Sequence, residues 1–136
     1  MPRHLFVHPA YRALPYTDNA LPTLAGMTTT APSVVGFMIH QAGIRPGHRV
    51  LEVGTGTGYQ AGAPYQAILL GAAVAARERL DVLARQLSRH GGRLVAPVGR
   101  ARDQELLVLT RRGETVHTHV VEGLTLDFVR LQEQSG

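Results

Sequence analysis

The chain contains no cysteine, no tryptophan and no lysine. Without cysteine there is neither a disulfide nor a thiolate metal site. All fourteen basic residues are therefore arginine, and the net charge is +4. Those arginines are scattered, with Arg111-Arg112 the only adjacent pair, and the four Tyr and three Phe do not interleave with them. A nucleic-acid surface needs a clustered basic stripe with stacking partners, so no nucleic-acid partner is expected. Long apolar runs are also missing: none approaches the ~20 residues of a membrane span, and no membrane role is expected. The opening MPRHLFVHP lacks an apolar core and a small-residue cleavage site, so no signal peptide is expected and a cytoplasmic location follows. Acid is locally absent as well, since none occurs between Glu52 and Glu78.

What is present fits one soluble α/β domain over residues 1–136, with 44% hydrophobic residues and a mean hydropathy of −0.02. The stretch around which the rest is arranged is RVLEVGTGTGYQ, Arg49 to Gln60. Val50, Leu51 and Val53 read as a buried strand, interrupted by Glu52. Gly54, Gly56 and Gly58 follow on alternate positions, where a backbone free of Cβ can approach a ligand. A strand running into such a turn is how nucleotide-type cofactors are held. The spacing is not G-x-G-x-x-G, because Tyr59 stands where the third glycine would be. A glycine-rich turn with no ligand is the plain alternative.

Residues 1–32 hold five of the eight prolines and should be extended and irregular. A helix then starts at Pro32 or Ser33, carries an apolar face of Val34, Val35, Met38, Ile39 and Ala42, and ends at Gly43. Tyr65 to Leu70 is a second buried strand, with no room for a helix between it and the first. The alanine- and leucine-rich stretch Ala72 to Leu87 reads as a helix with Leu80, Leu83, Ala84 and Leu87 on one stripe, stopped by His90-Gly91-Gly92. Arg93 to Val98 is a third strand. Glu105 to Thr110 and Thr115 to Val121 form a hairpin about Arg111-Arg112-Gly113-Glu114, and Leu124 to Leu131 reads as a last strand. His117 and His119 share one side of a strand but lack a third ligand, so no metal is expected.

Several segments, in order, resemble the protein-L-isoaspartate O-methyltransferase family. They are RHLFV with Tyr11-Arg12; Asp18-Asn19-Ala20-Leu21-Pro22; Gly26-Met27-Thr28-Thr29-Thr30-Ala31-Pro32; RPGHRVLEVGTGTGYQ; APYQAILLGAA; HGGRLVAPVG; and DFVRL. The resemblance covers nearly the whole chain. It implies a truncated Rossmann-like class I methyltransferase sheet with a C-terminal antiparallel hairpin. Residues 1–44 would be a substrate-side segment and helix, and residues 45–136 a shortened cofactor-binding sheet. It also implies S-adenosylmethionine as cofactor and isoaspartyl-containing peptides or proteins as substrate. Glu52, Gly54, Thr55, Gly56 and Gly58 would hold the cofactor's methionine end. Thr30 would be the catalytic hydroxyl that positions the acceptor, against the plainer role of a helix-entry threonine bonded to backbone.

The departures are equally specific. The helix and strands that the family places between the glycine turn and APYQAILL are absent, and with them the acid that holds the ribose. Thr30, Ala31 and Met27 replace the family's serine and two glutamines, and Arg130 replaces the proline of its F-V-P-L. Val50–Val53 should therefore be a sheet edge. A homodimer or aggregation is expected, with contact centred on Val50–Val53 and Tyr65–Leu70. A non-catalytic remnant that binds a peptide or partner protein stays open beside the enzyme.

Overall fold

Leu51, Ile68, Leu94 and Leu109 stand in one row across four neighbouring strands, and all four are buried. That row is the floor of the core, and its register sets where each strand ends. In the computed structural model the described residues are 3–5, 7–23, 27–54 and 64–131. They fall into two compact units, Met1–Met38 and Ile39–Gly136.

The first unit is irregular, as its prolines require. Short 3₁₀ turns lie at Arg3–Leu5 and Pro9–Tyr11. The two-residue strands β1 (Leu21–Pro22) and β2 (Thr28–Thr29) pair antiparallel. Helix α1 runs Pro32–Ala42 and crosses from one unit into the other. Proline opens it and Gly43, at φ +63°, ends it. Met38 and Ala42 are buried and Val34 half-buried, whereas Val35 and Ile39 are exposed. The inward stripe thus runs along Val34, Met38 and Ala42 with half-buried Phe37 beside it, and Val35 and Ile39 fall outside it. At the helix end, Arg93 donates from Nη1 to the Gln41 carbonyl at 3.0 Å, meeting one of the last free acceptors.

The second unit is a five-stranded mixed sheet with order β3-β4-β5-β6-β7. Its strands are β3 (Val50–Val53), β4 (Ala67–Leu70), β5 (His90–Arg100), β6 (Asp103–Arg112) and β7 (Thr115–Val121). β3, β4 and β5 are parallel neighbours, and β5, β6 and β7 form an antiparallel meander. Among the described residues β3 is an edge of this sheet, as its sequence context predicted. Tyr65 and Gln66 precede β4 rather than belonging to it, although Tyr65 makes a single parallel bridge to Leu87.

The stretch from Ala72 to Leu87 is not one helix. Ala72 to Val74 runs extended. Ala73 donates to the Val129 carbonyl at 2.8 Å and accepts from the Leu131 amide at 2.9 Å. Val74 donates to Pro97 at 3.1 Å and accepts from Gly99 at 2.9 Å. These bonds take the backbone groups a helix would need, and all three side chains are buried. Local preference yields to tertiary pairing. A 3₁₀ turn at Arg77–Leu80 and a short helix α2 (Asp81–Ala84) follow. Leu80, Ala84, Leu87 and Val74 then cover the leucine row. Arg111 holds this cover down, donating to the carbonyls of Arg85 and, at 3.1 Å, Leu87.

The expected last strand, Leu124–Leu131, is also reduced to one bridge, Arg130 with Ala73. A side chain fixes it instead. Buried Gln104 donates to the Phe128 carbonyl at 2.9 Å and accepts from the Phe128 amide at 2.8 Å. The amide group thus imitates a strand partner for one residue. No helix among the described residues is long and apolar enough to cross a membrane.

Candidate functional site

β3 and β4 deliver their carboxyl ends to the same place. Val53 pairs with Leu70, and the next residue on each strand is glycine, Gly54 and Gly71. Gly71 donates to the Val53 carbonyl at 2.8 Å. Gly54 has φ +95°, a conformation that side-chain-bearing residues rarely adopt. A Cβ at Gly54 would meet the Ala72 Cβ and amide nitrogen at 3.3 Å. The chain here is bare backbone at the carboxyl edge of parallel strands, the position at which open α/β sheets bind ligands. Gly71 and Ala72 belong to this wall although the glycine spacing did not point to them. Their signal was available only once β4 was set beside β3, since each strand then ends in glycine.

Glu52 sits one residue from the end of β3, in a row with Leu69, Val95 and Val108. Although its side chain is exposed, partial desolvation raises its carboxyl above the ordinary range. Glu52 and Gly54 are thus brought together at one strand end. Thr55, Gly56 and Gly58 lie outside the described residues.

Thr30 belongs to the first unit. It follows β2 and precedes α1, and it is half-buried. Its carbonyl accepts from Arg3 Nη2 at 3.1 Å. The neighbouring Thr29 hydroxyl is committed to structure. It accepts from Arg3 Nη2 at 2.9 Å and from the Leu21 amide at 3.4 Å, and it donates to the Leu21 carbonyl at 3.3 Å. Among the described residues, the Thr30 hydroxyl has no such partner. Nor does it cap α1, because Asp18 Oδ1 accepts from the Ser33 amide at 2.8 Å. Those bonds from the Ser33 backbone and side chain hold the Asp18 carboxyl below its usual range. Of the three consecutive threonines, Thr29 is structural and Thr30 keeps a hydroxyl to offer.

His117 and His119 are exposed on β7. Among the described residues no cluster of three or more His, Cys, Asp or Glu is placed to hold a metal.

Comparison with known proteins bears on the whole chain. The sequence model of the protein-L-isoaspartate(D-aspartate) O-methyltransferases matches residues 1–62 and 58–136. The protein-L-isoaspartate O-methyltransferase of Halorhodospira halophila is 34% identical over 183 residues, covering 98% of this chain and 80% of that one. The one from Methylorubrum populi is 35% identical, over 82% of this chain and 73% of its own. The one from Aeropyrum pernix is 45% identical over 84 residues, which is 62% of this chain and only 32% of that protein. In solved structures, the fold matches a Plasmodium falciparum chain described as a protein-L-isoaspartate O-methyltransferase, in complex with S-adenosyl-L-homocysteine. The TM-score is 0.70 at 17% identity, covering 89% of this chain and 83% of that one. An alignment of 183 positions exceeds the 136 residues of the chain, so more than forty positions have no residue here. The two family spans overlap at residues 58–62, from the last glycine of the turn onward.

Proposed function

The chain belongs to the protein-L-isoaspartate O-methyltransferase family, and on that premise we propose that it is a shortened S-adenosylmethionine-dependent carboxyl methyltransferase acting on isoaspartyl-containing peptides or proteins. The observation that carries this reading is the cradle at Gly54. Its positive φ and its close approach to Gly71 and Ala72 keep bare backbone, with no room for a side chain, at the carboxyl ends of β3 and β4. The residues described there suit the methionine end of the cofactor, with Glu52 beside them. Thr55, Gly56 and Gly58 complete the set in this proposal. When bound, the cofactor supplies an electrophilic methyl group. The acceptor carboxylate is already an anion at neutral pH, so the chain need not provide a general base. What it must provide is orientation, and Thr30, whose hydroxyl no described residue engages, is assigned to the acceptor.

The adenosine end is poorly served, since no acid lies between Glu52 and Glu78. Each missing charge-assisted hydrogen bond costs about 1.5–3 kcal/mol, or roughly ten- to a hundredfold in affinity. Calorimetric titration with S-adenosylmethionine and S-adenosylhomocysteine should therefore give binding weaker than micromolar. Sub-micromolar affinity of the isolated chain would sink this account of the shortened site. Methyl incorporation into an isoaspartyl peptide tests the activity itself.

The exposed position of β3 at the sheet edge favours a second reading, in which the chain acts by binding a partner rather than by turnover. The partner we favour is a second copy of the chain, and titrations with no cofactor binding at any concentration would select this reading.

A further inference from the structure

One side chain in the first unit gathers more backbone than any other described there. The Arg3 guanidinium donates from Nη1 to the carbonyls of Pro15 and, at 3.2 Å, Thr17. From Nη2 it donates to the Asn19 carbonyl at 2.6 Å, the Thr29 hydroxyl at 2.9 Å and the Thr30 carbonyl at 3.1 Å. Two segments far apart in sequence, residues 15–19 and 29–30, thus close on one planar fork. We propose that Arg3 is a positioning residue for the acceptor side of the site, fixing the peptide from which the Thr30 hydroxyl projects. This rests on the assignment of Thr30 in the proposed function.

The geometry argues for alignment rather than simple cohesion. Thr30 is held at both ends. Upstream, its neighbour Thr29 is pinned through the hydroxyl to Arg3 and to both backbone groups of Leu21. Downstream, the Ala31 carbonyl accepts the Val35 amide at 3.1 Å and Asp18 holds Ser33. The Thr30 carbonyl itself is held by Arg3. A residue with a fixed peptide and a hydroxyl that no described residue engages is prepared for a ligand. Lysine could not replace the arginine, because an ammonium is a point donor and cannot fork across both segments.

The test is a kinetic cycle on the full chain with an isoaspartyl peptide. Arg3→Lys should lower kcat about tenfold or more while leaving the S-adenosylhomocysteine Kd unchanged, since misplacing a reacting group costs rate. In a Thr30→Ala background the same change should cost nothing further, because a residue acting through Thr30 has lost its target. An additive loss in that background would overturn the proposal, as would a change confined to KM. If Arg3→Lys unfolds the first unit by circular dichroism, Thr29→Val, which removes one acceptor of the fork, replaces it with the same expectation at smaller amplitude. If the wild-type chain shows no turnover, that failure belongs to the methyltransferase reading. The Thr30 Hα–Hβ coupling measured by NMR then decides: averaging in Arg3→Lys supports positioning, and an unchanged coupling refutes it.

Discussion

At the scale of single residues, two of the three threonines before α1 divide their tasks. Thr29 spends its hydroxyl on Leu21 and Arg3, and Thr30 does not. Thr30→Ala should therefore lower kcat for an isoaspartyl peptide by about tenfold or more with little change in cofactor binding. Equal losses in both, by steady-state kinetics and calorimetry, would return Thr30 to a structural role. Two carboxylates make opposite predictions for pH. Asp18 has a folded pKa below its ordinary value because of Ser33. Its contribution is fully present above the ordinary value and is lost as pH falls through the depressed one. Asp18→Asn keeps an acceptor but should flatten that acid limb. Glu52 has a folded pKa raised by desolvation. Ionising it therefore costs stability as pH rises from its ordinary value to the raised one. Glu52→Gln should be the more stable protein at neutral pH, with the advantage vanishing in acid. Urea midpoints measured across that range distinguish the two.

At the scale of elements, the boundaries that follow local chemistry were legible in the sequence. Helix α1 begins at Pro32 and ends before Gly43, and β3 spans Val50–Val53 as its apolar run predicts. The hairpin of β6 and β7 turns where Gly113 stands. Ala72 to Leu87 was not legible, because its helical stripe is genuine and is overruled by bonds to Val129, Leu131, Pro97 and Gly99. The end of the chain was misread for the complementary reason. Phe128, Val129 and Leu131 take their backbone bonds from the Gln104 side chain and from Ala73, neither of which leaves a mark on local periodicity. The site divides along the same line. The Gly54 cradle is visible as spacing, whereas Gly71 and Ala72 enter through the register of β3 with β4. The Gln104 clamp is directly testable. Gln104→Leu leaves the Phe128 amide and carbonyl buried without partners, which should cost about 2–4 kcal/mol. A urea unfolding midpoint unchanged from wild type would show that the C-terminal segment is held by Ala73 alone.

At the scale of the molecule, β3 is an edge among the described residues, with a Val-Leu-Glu-Val sequence and one charge to deter pairing. The expected outcome is a two-fold homodimer, or aggregation, at micromolar concentration, with contact centred on Val50–Val53; Tyr65–Leu70, the other half of the expected contact, is largely buried between β3 and β5 and drops out. Sedimentation showing a folded, monodisperse monomer throughout that range refutes it. Val50→Lys should dissociate the dimer, and a dimer that survives the substitution must use another surface.

The parallel pairing of β3 with β4 also bears on how such a chain could arise. β3 ends at Val53 and its parallel neighbour β4 begins at Ala67, so an interval that a relative carries between them would fall between two strands that are already paired. None of the ladders joining β3 to β7 passes through it. A gene can lose or gain that interval without re-registering a single remaining strand. Sheet width on this side is therefore open to evolutionary change in a way that the continuous meander of β5, β6 and β7 is not.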